Sequence, residues 1–184
     1  LQQLPSLNLE KDTIVVYFCD NGPNGSRWNG GMKGRKGSTD EGGVRSPLLI
    51  RWPGKITQGK QVKQIAAAID LLPTLTDLAG FPAPRPKPLD GMSLKPLLLD
   101  SQPNWPGRLL FSQWRNKLSV RSQDFRMGNE GALFNLHSDP GQNVDVRTQH
   151  PEEFQRLSAA ISRWNEEFPK NDQPEFRPFL IGHS

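Results

Sequence analysis

An aspartate and an asparagine stand side by side where an apolar segment of the chain ends. Residues 13–19 are mostly β-branched or aromatic and carry no charge, which is typical of a buried strand, and Asp20-Asn21-Gly22-Pro23 follows directly. The carboxyl end of such a strand is where open α/β sheets bind ligands. Because carboxylate and amide oxygens suit hard divalent cations, Asp20 and Asn21 are candidate metal ligands. The same four residues are also typical of a plain turn, and this alternative stays open.

A lysine follows in a glycine-rich loop. Lys36 lies in Gly34-Arg35-Lys36-Gly37, and Lys33 stands in a similar setting just before it. An ammonium group beside a cation site favours the binding of an oxyanion ester. Either lysine is also typical of a solvated loop. The local basic cluster consists of Arg27, Lys33, Arg35, Lys36 and Arg45.

Several short motifs stand along the chain in a set order. They are DNG at 20–22, G-x-KG at 34–37, EGGVR-x-P at 41–47, WPG at 52–54, D-x-x-PT at 70–74, LAG at 78–80, DG-x-SL at 90–94, PLL at 96–98 and LFNL with DP at 133–140. In this order they resemble the second half of the sulfatases, which belong to the alkaline-phosphatase-like superfamily. The resemblance covers roughly residues 1–168.

The resemblance implies a role for each candidate residue. Asp20 and Asn21 match two metal ligands of sulfatases, so the implied cofactor is Ca²⁺ or another divalent cation. Lys36 matches the lysine that holds the sulfate group, because its spacing fits the family pattern K-G-x-x-x-E-G-G. Lys36 is therefore expected to be a catalytic and substrate-binding residue. Glu41 and Arg45 are expected to brace the loop, with Arg45 paired to Glu41 or to the neighbouring aspartate.

The sequence also departs from the sulfatase pattern. Sulfatases of this type use a formylglycine made from the cysteine or serine of a C/S-x-P-x-R motif, and that motif is absent from the 184 residues. The single cysteine, Cys19, lies in the apolar segment instead. We therefore expect the C-terminal half of a sulfatase, inactive alone, whose remaining metal ligands and formylglycine belong to an N-terminal half.

The implied activity of the intact enzyme is sulfate-ester hydrolysis. Two alternatives stay open: a non-catalytic domain that binds a glycan, an anion or a partner protein, and a phosphate or phosphonate ester hydrolase of the same superfamily. The expected partners are a sulfated small molecule or glycan, the N-terminal sulfatase half, and further copies of the chain itself, since an uncovered apolar strand favours self-association. The resemblance implies a periplasmic, extracellular or lysosomal location.

Composition limits the other function classes. The net charge is +4, and the basic residues form no run of five, so a nucleic-acid-binding role has little support. No apolar stretch is long enough for a membrane span. One cysteine excludes an internal disulfide. With 17 glycines and 17 prolines, the chain is expected to be rich in loops.

The predicted fold class is α/β, a fragment of an alkaline-phosphatase-like mixed sheet followed by a small four-stranded antiparallel sheet with a C-terminal helix. The predicted divisions are 1–106 for the catalytic α/β part, 107–170 for the small sheet with its helix, and 171–184 for a tail. In the first part we expect strands over 13–19 and 44–52, an extended segment over 61–69, and a helix over 71–79 with Asp70 at its N-cap.

In the second part, short apolar runs at 109–111, 118–121, 125–127 and 132–136 predict an antiparallel meander. Pro151 is expected to begin a helix that ends at Pro169. Its apolar face consists of Phe154, Leu157, Ala160, Ile161 and Trp164. The segment Trp114-Arg115-Asn116 is a candidate for lining a substrate cleft, although tryptophans in this region are more typical of a core.

Overall fold

The computed structural model describes residues 1–25, 28–81, 88–100, 104–128 and 130–168. In this part of the chain the strands are β1 (Val15–Phe18), β2 (Leu48–Arg51), β3 (Leu110–Trp114), β4 (Lys117–Arg121), β5 (Phe125–Met127) and β6 (Leu133–Asn135). The helices are α1 (Gln3–Ser6), α2 (Glu41–Val44), α3 (Leu71–Leu78), α4 (Lys95–Leu98) and α5 (Pro151–Glu167). Arg27 and the predicted tail 171–184 lie outside the described residues.

The first sheet joins β1 and β2 in antiparallel register, with Val16 opposite Ile50 and Phe18 opposite Leu48. Leu48 and Ile50 pack against a cluster of buried leucines from α3, α4 and the turn before α4. β1 is shorter than the predicted strand 13–19. The predicted strand 44–52 begins only at Leu48, because residues 41–44 form the helical turn α2 instead.

Residues 61–67 form no strand, and a 3₁₀ turn, Ala68–Asp70, leads into α3. Asp70 does occupy the N-cap position of α3, but its carboxylate makes no capping bond to that helix. The carboxylate is fully buried and accepts both Arg108 Nη1 at 2.8 Å and the backbone N–H of Met92 at 2.8 Å. Asp70 therefore ties α3 to the segments before α4 and before β3.

The second sheet is a four-stranded meander in the order β3-β4-β5-β6, as the apolar runs predict. Its buried core contains Val120, Met127 and Leu133 from the strands together with Leu157 from α5. The rings of Phe111 and Trp164 stack with their centroids 4.4 Å apart. The fold is thus mixed α/β with antiparallel sheets and a C-terminal helix, as predicted, while the proposed division at residue 106 stays a prediction.

One face of the first sheet is open to solvent. Tyr17 and Leu49 stand opposite each other across β1 and β2, and they are 58% and 62% exposed. The two-stranded sheet also has unpaired strand edges, a feature that promotes association with another chain.

The described residues include no helix that is both long and apolar enough to cross a membrane.

We expect the isolated 184-residue chain to self-associate through this face. Replacing Leu49→Lys puts a charge at the centre of the face and should lower the apparent mass at high concentration, measured by light scattering. Val144→Lys is the matched control, because Val144 is 55% exposed but lies after β6. A monodisperse monomer for the unsubstituted chain would contradict the expectation.

Candidate functional site

The Asp20-Asn21-Gly22-Pro23 segment lies directly against the glycine-rich loop that carries Lys36. The backbone N–H of Lys36 donates to the carbonyl of Pro23 at 3.0 Å. The N–H of Gly22 donates to the carbonyl of Gly43 at 2.9 Å. These bonds place the lysine loop beside the end of β1, so the two sequence-predicted parts of the site are neighbours in the fold.

Glycine is required at this contact because the two backbones approach too closely for a side chain. A Cβ on Gly22 would lie 1.8 Å from the carbonyl oxygen of Gly42, and one on Gly43 would lie 2.3 Å from the carbonyl oxygen of Ser38. A Cβ on Gly42 would itself stand 2.7 Å from the carbonyl oxygen of Lys33. The DNG and EGG motifs are therefore two sides of one backbone-to-backbone contact.

The oxygen atoms of the predicted metal ligands are available. Asp20 is exposed, and its carboxylate forms no ion pair with the rest of the described chain. Asn21 Nδ2 donates to the carbonyl of Gly22 at 2.9 Å, which leaves Oδ1 as its unused acceptor among the described residues. Two hard oxygen donors on adjacent residues fit a divalent cation such as Ca²⁺, which takes about six to eight oxygen ligands.

The described residues do not complete such a site. Nowhere in them do three or more His, Cys, Asp or Glu side chains gather where they could hold a metal ion. If Asp20 and Asn21 bind a cation, its remaining ligands come from elsewhere.

The two candidate lysines are held differently. The N–H of Lys33 donates to the carbonyl of Pro140 at 3.1 Å, and its Nζ lies 5.5 Å from the ring centroid of Phe134. Lys33 therefore contacts the second sheet through a cation–π interaction. Both lysines are exposed, but the backbone of Lys36 is bonded to Pro23 of the DNGP segment. This bond, together with the contact of Lys33 with Phe134, favours Lys36 over Lys33 as the candidate for binding a ligand near Asp20.

Glu41, at the start of α2, is the centre of an arginine cluster. Its side chain is fully buried, and Arg126 donates to Oε2 through Nε at 3.2 Å and Nη2 at 3.0 Å. Arg121 Nη1 lies 3.2 Å from Oε1, and Arg45 Nη1 lies 3.4 Å from the same oxygen. Of the two carboxylates predicted for Arg45, the structure selects Glu41. Glu41 braces the loop, as its motif predicts, but chiefly through Arg126.

Arg126 ties the lysine loop to the second sheet. Besides Glu41, its Nη1 donates to the carbonyl of Thr39 and to Ser119 Oγ, both at 2.8 Å. Ser119 Oγ donates in turn to the Thr39 carbonyl, and Gln142 Oε1 accepts the N–H of Glu41 at 2.8 Å. Burial lowers the pKa of Arg126, and the charge of Glu41 opposes this shift. The second sheet therefore fixes the conformation of the lysine loop.

Sequence reasoning missed Arg126, Arg121 and Gln142. Their contacts with Glu41 span 80 or more residues of chain, so no local spacing reveals them. One signal was available: an arginine stands in the middle of the short run Phe125–Met127, where a strand with a buried face usually places an apolar residue.

Comparisons with known proteins find sulfatases among the proteins that this chain resembles. Residues 1–81 match the family model for Sulfatase. Human arylsulfatase A is 48% identical over 98 residues, which cover 50% of this chain and 19% of that protein. Bovine arylsulfatase A is 40% identical over 76% of this chain and 34% of its own length. Mouse N-acetylgalactosamine-6-sulfatase is 32% identical over 83% of this chain and 32% of its own length.

The solved structures extend the likeness to nearly the whole fold. The crystal structure of Ps i-CgsB superposes with a TM-score of 0.79 at 25% identity, covering 95% of this chain and 40% of that one. The chain is homologous to part of a sulfatase. A Pseudoalteromonas sulfatase, at 20% identity and a TM-score of 0.71, shows the same fold over 93% of this sulfatase segment. The segment spans between 19% and 34% of the three curated relatives named above.

The glycine contact in this sulfatase segment predicts a sharp difference between two alanine substitutions. Gly22→Ala should separate the DNG segment from α2 and destabilise the fold by about 2 kcal/mol or more, because the new Cβ would overlap the carbonyl of Gly42. Gly107→Ala is the matched control, because no atom lies within 4 Å of its Cβ position. Urea denaturation measures the free energy of unfolding of both variants. Equal urea midpoints for Gly22→Ala and Gly107→Ala would refute the contact.

The Arg126–Glu41 pair predicts a local effect on the site. Arg126→Lys keeps the charge but loses the planar fork that reaches Glu41 and Thr39 together. We expect amide hydrogen exchange at Gly22 and Lys36 to rise about tenfold, the equivalent of losing one charge-assisted hydrogen bond. Residue-resolved exchange in the 184-residue chain measures this.

The control for this exchange experiment is Asp70→Asn, which weakens the other fully buried carboxylate pair. It should speed exchange at Ala67 and Met92, whose N–H groups donate to the Asp70 carboxylate, and leave Gly22 and Lys36 protected. If both variants raise exchange uniformly, Arg126 affects only global stability.

Proposed function

We propose that this chain supplies two metal ligands and the sulfate-binding lysine of an enzyme that hydrolyses sulfate esters. The observation that supports the proposal is the contact between the segment after β1 and the lysine loop, in which the backbone N–H of Lys36 donates to the carbonyl of Pro23, two residues after Asn21. Homology to sulfatases over much of the chain supports the same reaction. The proposed substrate is a sulfated glycan or small molecule.

In this proposal Asp20 and Asn21 each contribute an oxygen to a divalent cation, Ca²⁺ in the sulfatase pattern. When bound, the cation would draw electron density from the sulfate oxygens and make the sulfur more electrophilic. Lys36 holds the sulfate group in place and stabilises the negative charge that develops on the leaving oxygen. The arginine and glycine contacts hold the lysine loop in position before the substrate arrives.

The nucleophile is proposed to come from outside these residues. The 184-residue sequence lacks the C/S-x-P-x-R motif that carries a formylglycine, and Cys19 lies between β1 and Asp20, where its carbonyl accepts a hydrogen bond from Ser46. We propose that an N-terminal sulfatase half provides the nucleophile, the proton-transfer groups and the remaining metal ligands. Without that half, the chain would be inactive.

A groove in the structure supports the proposal that an N-terminal half completes the enzyme. The residues that line this groove of about 1400 Å³ include Phe18, Asp20, Phe111 and Arg121. Its lining includes the exposed apolar side chains of Phe18 and Leu49, which favour contact with another protein segment over contact with water. The proposed locations are those implied by the sulfatases: periplasmic, extracellular or lysosomal.

Lys36→Ala should lower the turnover of 4-nitrophenyl sulfate by about 100-fold or more in the whole protein that contains this chain, because it removes a donor to the charge of the transition state. Lys33→Ala is the matched control and should leave turnover near that of the unsubstituted protein, because Lys33 contacts Phe134 instead. Equal losses in the two variants would contradict the role of Lys36.

The same assay separates the alternatives. Faster turnover of 4-nitrophenyl phosphate than of the sulfate would assign the protein to the phosphate ester hydrolases. Binding of a sulfated sugar in calorimetry, with no hydrolysis by the whole protein, would assign it to the non-catalytic binding domains. Dependence of that binding on Lys36 would still support the anion site.

A further inference from the structure

An exposed tryptophan lies beside the lysine loop. Trp114 is the last residue of β3, and it is 53% exposed. Its indole Nε1 lies 3.8 Å from the point where a Cβ on Gly37 would stand. Gly37 follows Lys36 directly and has a φ of +87°. The indole therefore stands next to the residue that is proposed to hold the sulfate group.

The position of Trp114 is fixed from two sides. β3 is anchored by the stacking of Phe111 on Trp164. Trp114 pairs with Lys117 across the tight turn that joins β3 to β4, and Arg115 in that turn has a φ of +54°. A positive φ at the first loop residue is the conformation that a two-residue hairpin turn requires. A rigid turn thus presents the indole to solvent at the rim of the site.

We propose that Trp114 is a stacking platform for the sugar ring of a sulfated glycan whose sulfate group is held by Lys36. This inference rests on the proposed function and narrows its substrate from a sulfated glycan or small molecule to a sulfated glycan. One face of a pyranose ring carries mainly C–H groups, so it packs on an indole and removes apolar surface from water. The sugar hydroxyls then remain free to bond with polar neighbours.

The neighbours of Trp114 favour a sugar over an aromatic ring. Arg115, Asn116 and Lys117 are exposed, and all three carry hydrogen-bond donors that suit hydroxyl or sulfate oxygens. The guanidinium carbon of Arg115 lies over the Trp114 ring, 6.0 Å from its centre, so the sugar ring is proposed to pack on the other face of the indole. The positive charges of Arg115 and Lys117 beside the ring also favour a glycan that carries a further anionic group.

The test compares four probes on the 184-residue chain: galactose 6-sulfate, galactose, inorganic sulfate and 4-nitrophenyl sulfate. In the unsubstituted chain the indole N–H resonance of Trp114 is followed by NMR during each titration and is identified by its loss in Trp114→Phe. The affinities of the chain and of every variant for each probe are measured by isothermal titration calorimetry. The Trp114→Ala variant should bind galactose 6-sulfate about tenfold more weakly, the loss expected for one stacking contact. Its affinity for inorganic sulfate should be unchanged. Trp114→Phe should retain part of the affinity for the sugar.

The matched control is Phe81→Ala, because Phe81 is 71% exposed but lies after the end of α3. This variant should bind every probe as the unsubstituted chain does. Equal affinity of the unsubstituted chain and Trp114→Ala for galactose 6-sulfate would overturn the proposal. So would an equal loss of affinity for inorganic sulfate, because Trp114 would then act only through the fold.

Two further results separate this proposal from the proposed function. If galactose shifts the Trp114 resonance while inorganic sulfate does not bind, the platform stands and the anion site at Lys36 fails. If sulfate binds and galactose 6-sulfate leaves the resonance unshifted, the platform fails and the anion site stands. If Trp114→Ala loses more affinity for 4-nitrophenyl sulfate than for galactose 6-sulfate, Trp114 packs on an aromatic ring of the substrate. This result would overturn the assignment to a sugar.

Discussion

The candidate site depends on one buried ion pair. Glu41 is fully enclosed, and a carboxylate in that position is stable only when opposite charges and hydrogen-bond donors surround it. Arg126 supplies two donors to Glu41 and a third to the Thr39 carbonyl, so the pair fixes both the side chain and the backbone of the loop. Loss of Glu41 would leave the buried charge of Arg126 without its carboxylate, and loss of Arg126 would leave Glu41 only its longer ion pairs with Arg121 and Arg45 among the described residues. The loop that carries Lys36 is therefore held by the second sheet.

A second constraint acts on the other side of the same loop. The close approach of Gly22 to Gly42 and Gly43 sets the distance between the DNG segment and α2, because only backbone atoms fit between them. The arginine pair pulls the loop toward the second sheet, and the glycine contact holds it against the end of β1. Together these contacts restrict the conformation of the loop, which suits the proposed binding of an anion without rearrangement.

The exposed apolar face of the first sheet is consistent with a chain that matches only part of the length of the sulfatases. Tyr17 and Leu49 form an exposed face on a two-stranded sheet, although β-branched and apolar strands are normally covered. The likeness to Ps i-CgsB includes nearly all of this chain but only 40% of that one. In a longer sulfatase, additional structure would have room to cover this face. The same structure would supply the remaining ligands of the metal site that is proposed at Asp20 and Asn21.

Much of the fold was predictable because its signals are local. Alternating apolar runs predict the meander of β3 to β6, and the spacing of Phe154, Leu157 and Ile161 predicts the buried face of α5. The predicted strand 44–52 is wrong at its start, because residues 41–44 form α2, where Glu41 is held by distant arginines. That tertiary contact outweighs the local extended pattern.

The amino-acid sequence by itself determined the short elements, the order of the motifs and the candidate residues Asp20, Asn21 and Lys36. Only the tertiary structure decided that Arg126 holds Glu41, that Lys33 turns toward Phe134, and that Trp114 stands beside Gly37. The reason is physical. Periodicity and turn chemistry act between residues a few positions apart, whereas a buried ion pair or a ring contact joins side chains far apart in sequence that meet only when the sheets have packed.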